Sequence, residues 1–500
     1  MKLNTIAFEN NQVIMTQIII DGECVVFFQP EIEVVKKANQ HTQMELTGTL
    51  SQDAYDNVVR GMGFNSSICI KYGEQGRLFT VFCGLVTFVE VLSDLSEYSP
   101  SFLVKIKATS YSILLDREKK DVVYEDGNIL YQQIVENKLS PYDNTDYILS
   151  QELTDFKLEK FTMQYNETDW QFLQRIASRA GCLLSPDSVT EGLKLRCGIS
   201  LSDTPYFLST QYSRKIQEVK CIVPPEENDF VGEAKISHYC LLNTEGPDAQ
   251  TLDIGDCIED QGAVWYVKEA KAIISDHILC HQYQFASHQE FTVTGKYNGR
   301  ISGLSLPGTV QEVKNNLVKI VMDVDRYPGN NTSWFPYSTF YSTFYCMPEI
   351  NDRVNLYFPD SEEHHAVIIN SVHAPVGATG ASAAGAGQEK NYDTQQLFSN
   401  DQTKTLATRG GKMLILDDQS GTVSLVCADG SYIAISGNKI SINTSLEVSI
   451  TAGGSINFNA NKSINLSAEE KLNLSCAESS ISILPDEIGI NATDVKMNEG

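Results

Sequence analysis

The sequence has few basic residues and no long apolar run, and each absence excludes a class of function. Its 500 residues include 38 Lys and Arg against 64 Asp and Glu, which gives a formal net charge of −26. A chain this acidic repels phosphate backbones, so we expect no nucleic-acid partner. Its longest apolar runs fall far short of the roughly 20 residues that a membrane-spanning helix needs. We therefore expect no transmembrane segment.

The amino terminus lacks the apolar segment of a signal peptide. Glu9, Asn10 and Asn11 stand where a secretory signal would carry its longest apolar stretch. We therefore expect the chain to be synthesised in a cytoplasm.

The sequence lacks the cysteine spacing of metal and redox sites, and it lacks the common catalytic motifs. None of the 12 cysteines stands at Cys-x-x-Cys spacing, and we expect them to be reduced and buried. Walker, Rossmann, Gly-x-Ser-x-Gly and His-Glu-x-x-His patterns are absent. The cluster Glu362-Glu363-His364-His365 is predicted to be a solvated turn, because neighbours on an extended chain point to opposite sides. We expect no catalytic residues, no metal and no cofactor.

Pairs of apolar residues recur every eight positions near the carboxyl end. Within each pair the i, i+2 spacing places both side chains on one face of a strand. The pairs begin at 440, 448, 456, 464 and 472, and comprise Ile440 and Ile442, Val448 and Ile450, Ile456 and Phe458, Ile464 and Leu466, and Leu472 and Leu474. A period this short gives each repeat one strand and one turn, which is too little for a single-chain solenoid.

One chain of such repeats would leave its apolar stripe uncovered. Three identical chains wound about one axis would cover it, so the repeat predicts a trimeric β-prism with those ten residues as its core. An ordinary antiparallel sandwich with regular strands is the alternative.

Composition divides the rest of the chain. Residues 376–390 are rich in Gly and Ala and predict a flexible linker. Residues 296–375 contain short strands with turn residues between them, which favour an OB-fold barrel. Residues 1–295 mix strands with helices predicted at 128–139 and 169–180, and form an α+β region. The carboxyl-terminal repeat region covers residues 391–500. The fold class is therefore mainly β.

A helix start is readable in the stretch 165–181. Thr168 and Gln171 stand at the positions of a capping box, and Asp169 lies near the positive end of the helix dipole. Trp170 and Leu173 belong to one apolar stripe, with Phe172 beside it. Gly181 is predicted to end the helix. Capping explains Glu167 and Asp169 better than catalysis does.

This stretch resembles the signature of the VgrG and phage late-control D family, the hub and spike proteins of contractile injection machines. The matching residues are Glu167, Thr168, Asp169, Trp170, Phe172, Leu173, Arg175 and Gly181. The segments 108–116 and 123–126 are similar to another family stretch. Trp334, Pro348 and Asp352 lie in segments that look like the family's OB domain, in which Asn351 replaces the usual glycine. Asn tolerates the left-handed conformation that such a turn needs.

The resemblance implies a structural role without catalysis. It implies a homotrimer that joins the inner tube and baseplate proteins of a contractile machine to a needle, which touches a target membrane during ejection. It also implies a PAAR-type tip protein or effector at the needle end, where Ile488, Ile490, Val495 and Met497 would form the dock. The alternative for this end is that the chain termini fold inward and plug it.

Two other functions compete with the spike. A trimeric tailspike enzyme that cleaves surface polysaccharide would also have β repeats, but it would need a carboxylate-lined groove on a long solenoid. A host-receptor adhesin is the weaker third hypothesis.

Overall fold

The computed structural model consists of two compact units, Met1–Gly387 and Gln388–Gly500. It describes residues 6–9, 12–74, 76–94, 101–199, 201–202, 204–206, 217–223, 235–245, 251–260, 262–276, 278–291, 293–325, 333–339, 346–371, 402–408 and 410–496. The predicted linker 376–390 lies outside these ranges. The predicted limits of the hub and OB regions stay predictions.

The described part of the first unit is mainly β, with four short α-helices. Its strands are β1 Ile6–Glu9, β2 Gln12–Ile20, β3 Glu23–Val25, β4 Phe28–Lys37, β5 Gln43–Ser51, β6 Ser67–Glu74, β7 Arg77–Asp94, β8 Ser101–Thr109, β9 Lys119–Tyr124, β10 Asp146–Leu149, β11 Thr162–Thr168, β12 Leu184–Pro186, β13 Lys194–Cys197, β14 Gln217–Val223, β15 Lys235–Glu245, β16 Cys257–Asp260, β17 Ala263–Ser275, β18 Ile278–Ala286, β19 Ser305–Lys314, β20 Leu317–Met322, β21 Phe335–Pro336, β22 Arg353–Tyr357 and β23 Val367–Ser371. Its α-helices are α1 Gln52–Asn57, α2 Tyr131–Leu139, α3 Gln151–Thr154 and α4 Asp169–Arg179. No helix among the described residues is long and apolar enough to cross a membrane.

A 13-stranded, nearly closed barrel-like sheet dominates this unit. Its main path runs β1-β2-β6-β7-β8-β5-β4-β17-β18-β15-β14, so the two parts of the sheet join where β17 pairs with β4, a strand more than 200 residues earlier. Strand β5 shows why the sequence folds this way: Met44, Leu46, Gly48 and Leu50 are buried, whereas the alternate residues between them are only partly buried. Such alternation gives a sheet with one apolar face, and it confirms the mainly β prediction.

One pair of cysteines differs from the expectation of reduced thiols. Cys69 on β6 lies directly opposite Cys83 on β7, and the two form a disulfide. The prediction of reduced thiols is wrong for this pair because antiparallel register, and not sequence spacing, brings the two side chains together.

A helical layer packs beside the sheets in residues 111–197. Helices α2 and α4 contribute Tyr131, Ile134, Phe172 and Ile176 to one buried cluster. Helix α2 begins three residues after the predicted Asn128 and ends at the predicted Leu139. The region also holds a sheet ordered β10-β13-β12 and the antiparallel pair β11-β9.

Residues 305–371 contribute a separate five-stranded sheet, ordered β21-β20-β19-β22-β23. Strand β20 alternates strictly, with Val318, Ile320 and Met322 buried. Phe161 and Met163, which precede α4, pack into the same core. The OB assignment of this sheet stays a prediction.

In the second unit the described residues 402–408 and 410–496 form eight strands that pair antiparallel within the chain. They are β24 Thr403–Ala407, β25 Met413–Asp417, β26 Thr422–Val426, β27 Tyr432–Ser436, β28 Lys439–Asn443, β29 Leu472–Cys476, β30 Ser479–Ile483 and β31 Ile488–Asn491. They form one five-stranded and one three-stranded meander in sequence order. The first octad lies in β28 and the last in β29, and both strands pair with neighbours of the same chain. The alternative of an antiparallel sandwich predicts such pairing for these two octads.

Candidate functional site

Helix α4 begins with the capping box that its sequence predicts. The Thr168 hydroxyl accepts a hydrogen bond from the Gln171 backbone N–H at 3.2 Å, and the Gln171 side chain accepts one from the Thr168 N–H at 3.5 Å. Trp170, Phe172 and Leu173 are buried. The helix ends before Gly181, whose φ of 74° is left-handed. These local features fix where the charged residues of α4 point.

Four charged side chains form a buried ion cluster at this helix: Glu167, Arg175, Arg179 and Glu363. Arg175 donates two hydrogen bonds of 2.8 Å to the Glu167 carboxylate, one from Nε and one from Nη2. Its Nη1 donates to Glu363 at 2.7 Å, and Arg179 donates to the other oxygen of Glu363 at 2.8 Å. The two carboxylate side chains are at most 7% exposed. The cluster joins α4 to the loop between β22 and β23.

Burial and attraction compete in this cluster. Burial works to lower the pKa of Arg175, but Glu363 and Glu167 outweigh it and raise that pKa. For Arg179 burial outweighs the attraction of Glu363, so its pKa is lowered. Because both carboxylates bind guanidinium groups, the arrangement is suited to holding two elements together. Sequence analysis identified Glu167 and Arg175 as family-motif residues and missed Glu363, which lies 188 positions from Arg175.

Asp169 is the centre of a second buried charge group. Lys138 of α2 lies 2.9 Å from its Oδ1, and Lys120 of β9 lies 2.5 Å from its Oδ2. Burial alone would raise the pKa of Asp169, but the two lysines outweigh it and lower that pKa. Asp169 therefore links a strand and a helix in addition to its place at the start of α4. The lysines are far from Asp169 in sequence, and no local pattern marks them.

A polar cleft of about 360 Å³ lies beside the ion cluster. Gln174, Lys296 and Arg300 line it together with Glu167 and Arg175. Arg300 donates to the carbonyl oxygen of Asn166. Asn298 Nδ2 also donates to the carbonyl oxygen of Tyr165 at 2.9 Å, and the two hydrogen bonds fix the segment before the five-stranded sheet against β11, the strand that precedes α4.

A serine, a histidine and an aspartate meet near Trp170. His41 Nδ1 lies 2.7 Å from Ser112 Oγ, and its Nε2 lies 3.5 Å from Asp116. Burial lowers the pKa of His41, although Asp116 acts to raise it. Ser112 is only 1% exposed, so a substrate has no access to its hydroxyl. The group joins the turn between β4 and β5 to the segment 108–116, which carries part of the family resemblance.

The residues predicted to mark the OB domain lie in and beside the five-stranded sheet. Pro348 is buried, and the Asp352 carboxylate accepts from the Glu349 backbone N–H at 2.9 Å. Asn351 has a φ of 73°, so it adopts the left-handed conformation that its sequence context predicts. Trp334 lies under the ammonium of Lys319, 4.9 Å from its ring centre. These residues shape a turn and one edge of the sheet.

The turn at residues 360–365, which we call the His turn, differs from its prediction. Glu363–His365 form a 3-10 helical turn and not an extended chain. Glu363 points inward and is 2% exposed, so the expectation of a wholly solvated turn is wrong. The tight turn brings ligand atoms of Glu362, His364 and His365 within 4.8 Å of one another. Burial, and then Lys160, lower the pKa of His364.

The predicted needle core is exposed in the single chain. Its members Ile440, Ile442, Val448, Ile450, Ile456, Phe458, Ile464, Leu466 and Leu474 are each between 45% and 69% exposed. At the predicted tip dock, Ile488, Ile490 and Val495 are 47% to 67% exposed, and Met497 lies outside the described residues. The core and dock roles stay predictions.

Comparisons with known proteins identify the fold through structure and not through sequence. No protein-family model matches the sequence, and no curated protein matches it. The chain is similar to the E. coli c3393 protein, a component of the type VI secretion system that is structurally similar to the T4 bacteriophage tail proteins gp27 and gp5. Identity is 13%, the TM-score is 0.51, and the match covers 71% of this chain and 99% of that one.

Two states of a Francisella PdpA-VgrG complex also share the fold. The half-lidded state matches with 11% identity and a TM-score of 0.56, over 86% of this chain and 88% of that chain. The lidded state matches with 13% identity and a TM-score of 0.54, over 87% of this chain and 80% of that chain. At such low identity these likenesses show the fold alone. They confirm the resemblance to tail-hub proteins at that level.

Proposed function

We propose that this protein is the trimeric hub-and-spike component of a contractile injection machine. The observation that carries the proposal is an apolar face on the five-stranded meander of the second unit. Leu414, Leu425, Ile433 and Ile442 are consecutive cross-strand neighbours. A second column beside them consists of Leu416, Val423, Ile435 and Ile440.

No described residue of the second unit covers this apolar face. Its eight side chains are between 36% and 69% exposed. A soluble protein rarely exposes a contiguous apolar surface of this kind, which normally marks a protein interface. Two further copies of the same chain would present identical faces, so three faces can close around one axis.

The octads between the two meanders support the same assembly. Residues 444–471, all described, contain no strand that pairs within the chain. Ile456, Phe458 and Ile464 in this segment are 45% to 67% exposed. Backbone groups in extended segments need hydrogen-bond partners, and neighbouring chains of a trimer would supply them.

In this proposal each unit has a mechanical task. The first unit sits on the inner tube and contacts baseplate proteins, and the needle concentrates force on a target membrane when the machine contracts. The chain is assembled in the cytoplasm and then ejected, and it acts without cofactor or catalysis. Two observations support this role. The chain shares its fold with a type VI secretion component that is structurally similar to T4 tail proteins, and with a PdpA-VgrG complex.

Sedimentation of the full chain tests the trimer. We expect the parent to sediment as a trimer, and Ile456→Asp with Ile464→Asp to abolish or weaken that trimer. The cost arises because each substitution would place three charges around a dry axis. Asn457→Asp with Asn465→Asp is the matched control, since in the extended octads of the proposed prism these neighbours would point away from the axis. A parent that sediments as a monomer would refute the proposal.

The tip protein and the absence of catalysis need their own assays. Pull-down of a co-encoded PAAR-type protein should succeed with the full chain and fail after truncation following Leu484. Equal recovery by both would place the dock elsewhere, and recovery by neither would favour a self-plugged end.

Incubation with surface polysaccharide should release no oligosaccharide. Steady release would instead support the tailspike enzyme.

A further inference from the structure

The His turn gathers metal-ligating groups on its outer side. Ligand atoms of Glu362, His364 and His365 all lie within 4.8 Å of one another. His364 Nε2 is 3.5 Å from Glu362 Oε2, and the two imidazole ring centres are 4.2 Å apart. Among the described residues this is the one group of three or more such side chains close enough to share an ion.

Buried contacts of the first unit hold the turn in this shape. Glu363, in the middle of the turn, points inward and accepts hydrogen bonds from Arg175 and Arg179. Its flanking residues therefore point outward, where the side chains of Glu362 and His364 are about one-third exposed, 36% and 29%. An ion can reach these groups from solvent, and the backbone that carries them is already fixed.

The donor set selects one class of ion. Two imidazoles and one carboxylate suit zinc and similar transition metals, whereas magnesium prefers oxygen ligands and retains its waters. In a tetrahedral site with bonds of about 2.1 Å, neighbouring ligand atoms are about 3.4 Å apart. The ligand atoms of the His turn lie within 4.8 Å of one another, so no pair is more than about 1.4 Å beyond that spacing, and water can complete the site.

We propose that the His turn binds one divalent transition-metal ion through Glu362, His364 and His365. The Asp360 carboxylate accepts a hydrogen bond of 2.8 Å from the His365 ring. When the ion is bound, Asp360 either keeps this hydrogen bond or becomes a further ligand. In the first case it orients the imidazole, as carboxylates commonly do for metal-bound histidines. The bound ion fixes the loop between β22 and β23, and so strengthens the attachment of Glu363 to α4.

Titration of the full chain tests the site. The protein is stripped with a chelator, kept reduced, and titrated calorimetrically with ZnCl2, NiCl2 or MgCl2. We expect one Zn²⁺ or Ni²⁺ per chain at this site and no Mg²⁺. His364→Ala with His365→Ala should remove that ion. Asp360→Asn should weaken its binding by roughly 10- to 100-fold, the usual effect of losing an orienting partner.

Two controls separate this site from the cysteines and from misfolding. His288→Ala removes an exposed histidine of another element and should leave the titration unchanged. Co²⁺ bound at the His turn should lack the thiolate charge-transfer band that cysteine ligation produces. If the double variant loses the metal-free fold, Glu362→Gln replaces it, and its Zn²⁺ affinity should fall at least tenfold.

Thermal unfolding gives an independent readout, because an ion that binds only the folded state raises the melting temperature. Zn²⁺ should raise that temperature for the parent and not for the double variant. Two results would overturn the proposal: no Zn²⁺ or Ni²⁺ binding by the parent, or the same stoichiometry in the folded double variant.

Discussion

Replacing Glu363 by Ala should destabilise the first unit far more than the loss of an exposed ion pair of the same five-stranded sheet region does. The carboxylate is 2% exposed and accepts hydrogen bonds of 2.7 Å from Arg175 and 2.8 Å from Arg179. Each hydrogen bond to a charged group contributes about 1.5–3 kcal/mol. Loss of one partner from a buried ion pair costs about 3–5 kcal/mol, because the other charge is left without compensation.

The two arginines divide this cost unequally. Arg175 keeps Glu167 after the substitution, through two hydrogen bonds of 2.8 Å. Arg179 loses the carboxylate that it binds, but its side chain is 14% exposed and can gain water. We therefore expect Glu363→Ala to lower the free energy of unfolding by about 3 kcal/mol, the lower end of the range.

Tryptophan fluorescence during urea unfolding measures this loss. Trp170 lies on α4 and is 4% exposed, so it reports the transition that contains the ion cluster. The other two tryptophans, Trp265 and Trp334, are replaced by Phe in every variant, including the reference. The matched control is Glu312→Ala, which breaks the ion pair of Glu312 with Lys319 at a carboxylate that is 54% exposed.

The control should lose less than about 1 kcal/mol, as exposed ion pairs do. If Glu363→Ala loses no more than Glu312→Ala, the ion cluster does not hold α4 to the loop, and the reasoning is refuted. If both variants lose several kcal/mol of unfolding free energy, burial does not decide how much an ion pair stabilises this protein.

Three further outcomes follow from single side chains. His281 is buried, which lowers its pKa from 6.5 to about 4, so the unfolded state binds its proton first as pH falls. Stability should therefore drop by up to about 3 kcal/mol between pH 6.5 and pH 4, and acid titration of His281→Gln should show a smaller drop. Thr168→Ala removes the cap of α4 and should lower the free energy of unfolding by about 0.5–2 kcal/mol. Thr168→Ser keeps the capping hydroxyl and should retain most of that stability in urea unfolding. Asn351→Val should cost about 1–2 kcal/mol at a left-handed position, and Asn351→Gly should unfold at or above the parent's urea midpoint.

Local patterns in the sequence were enough to predict several elements. The capping box of Thr168 and Gln171, and Gly181 at the helix end, depend on hydrogen bonds between residues a few positions apart. Alternating apolar residues in the same way indicate strands such as Leu317–Met322. These signals are local because helix and strand periodicities repeat within a few residues.

Tertiary structure alone decided which distant residues meet. Arg175 and Glu363 are 188 positions apart, and nothing in the sequence around either indicates the other. Strand register joins Cys69 to Cys83, although their spacing predicts nothing. The His turn is compact because Glu363 is drawn inward by two arginines of α4. Such contacts depend on how whole elements pack, and packing is a property of the folded chain that no short stretch of sequence carries.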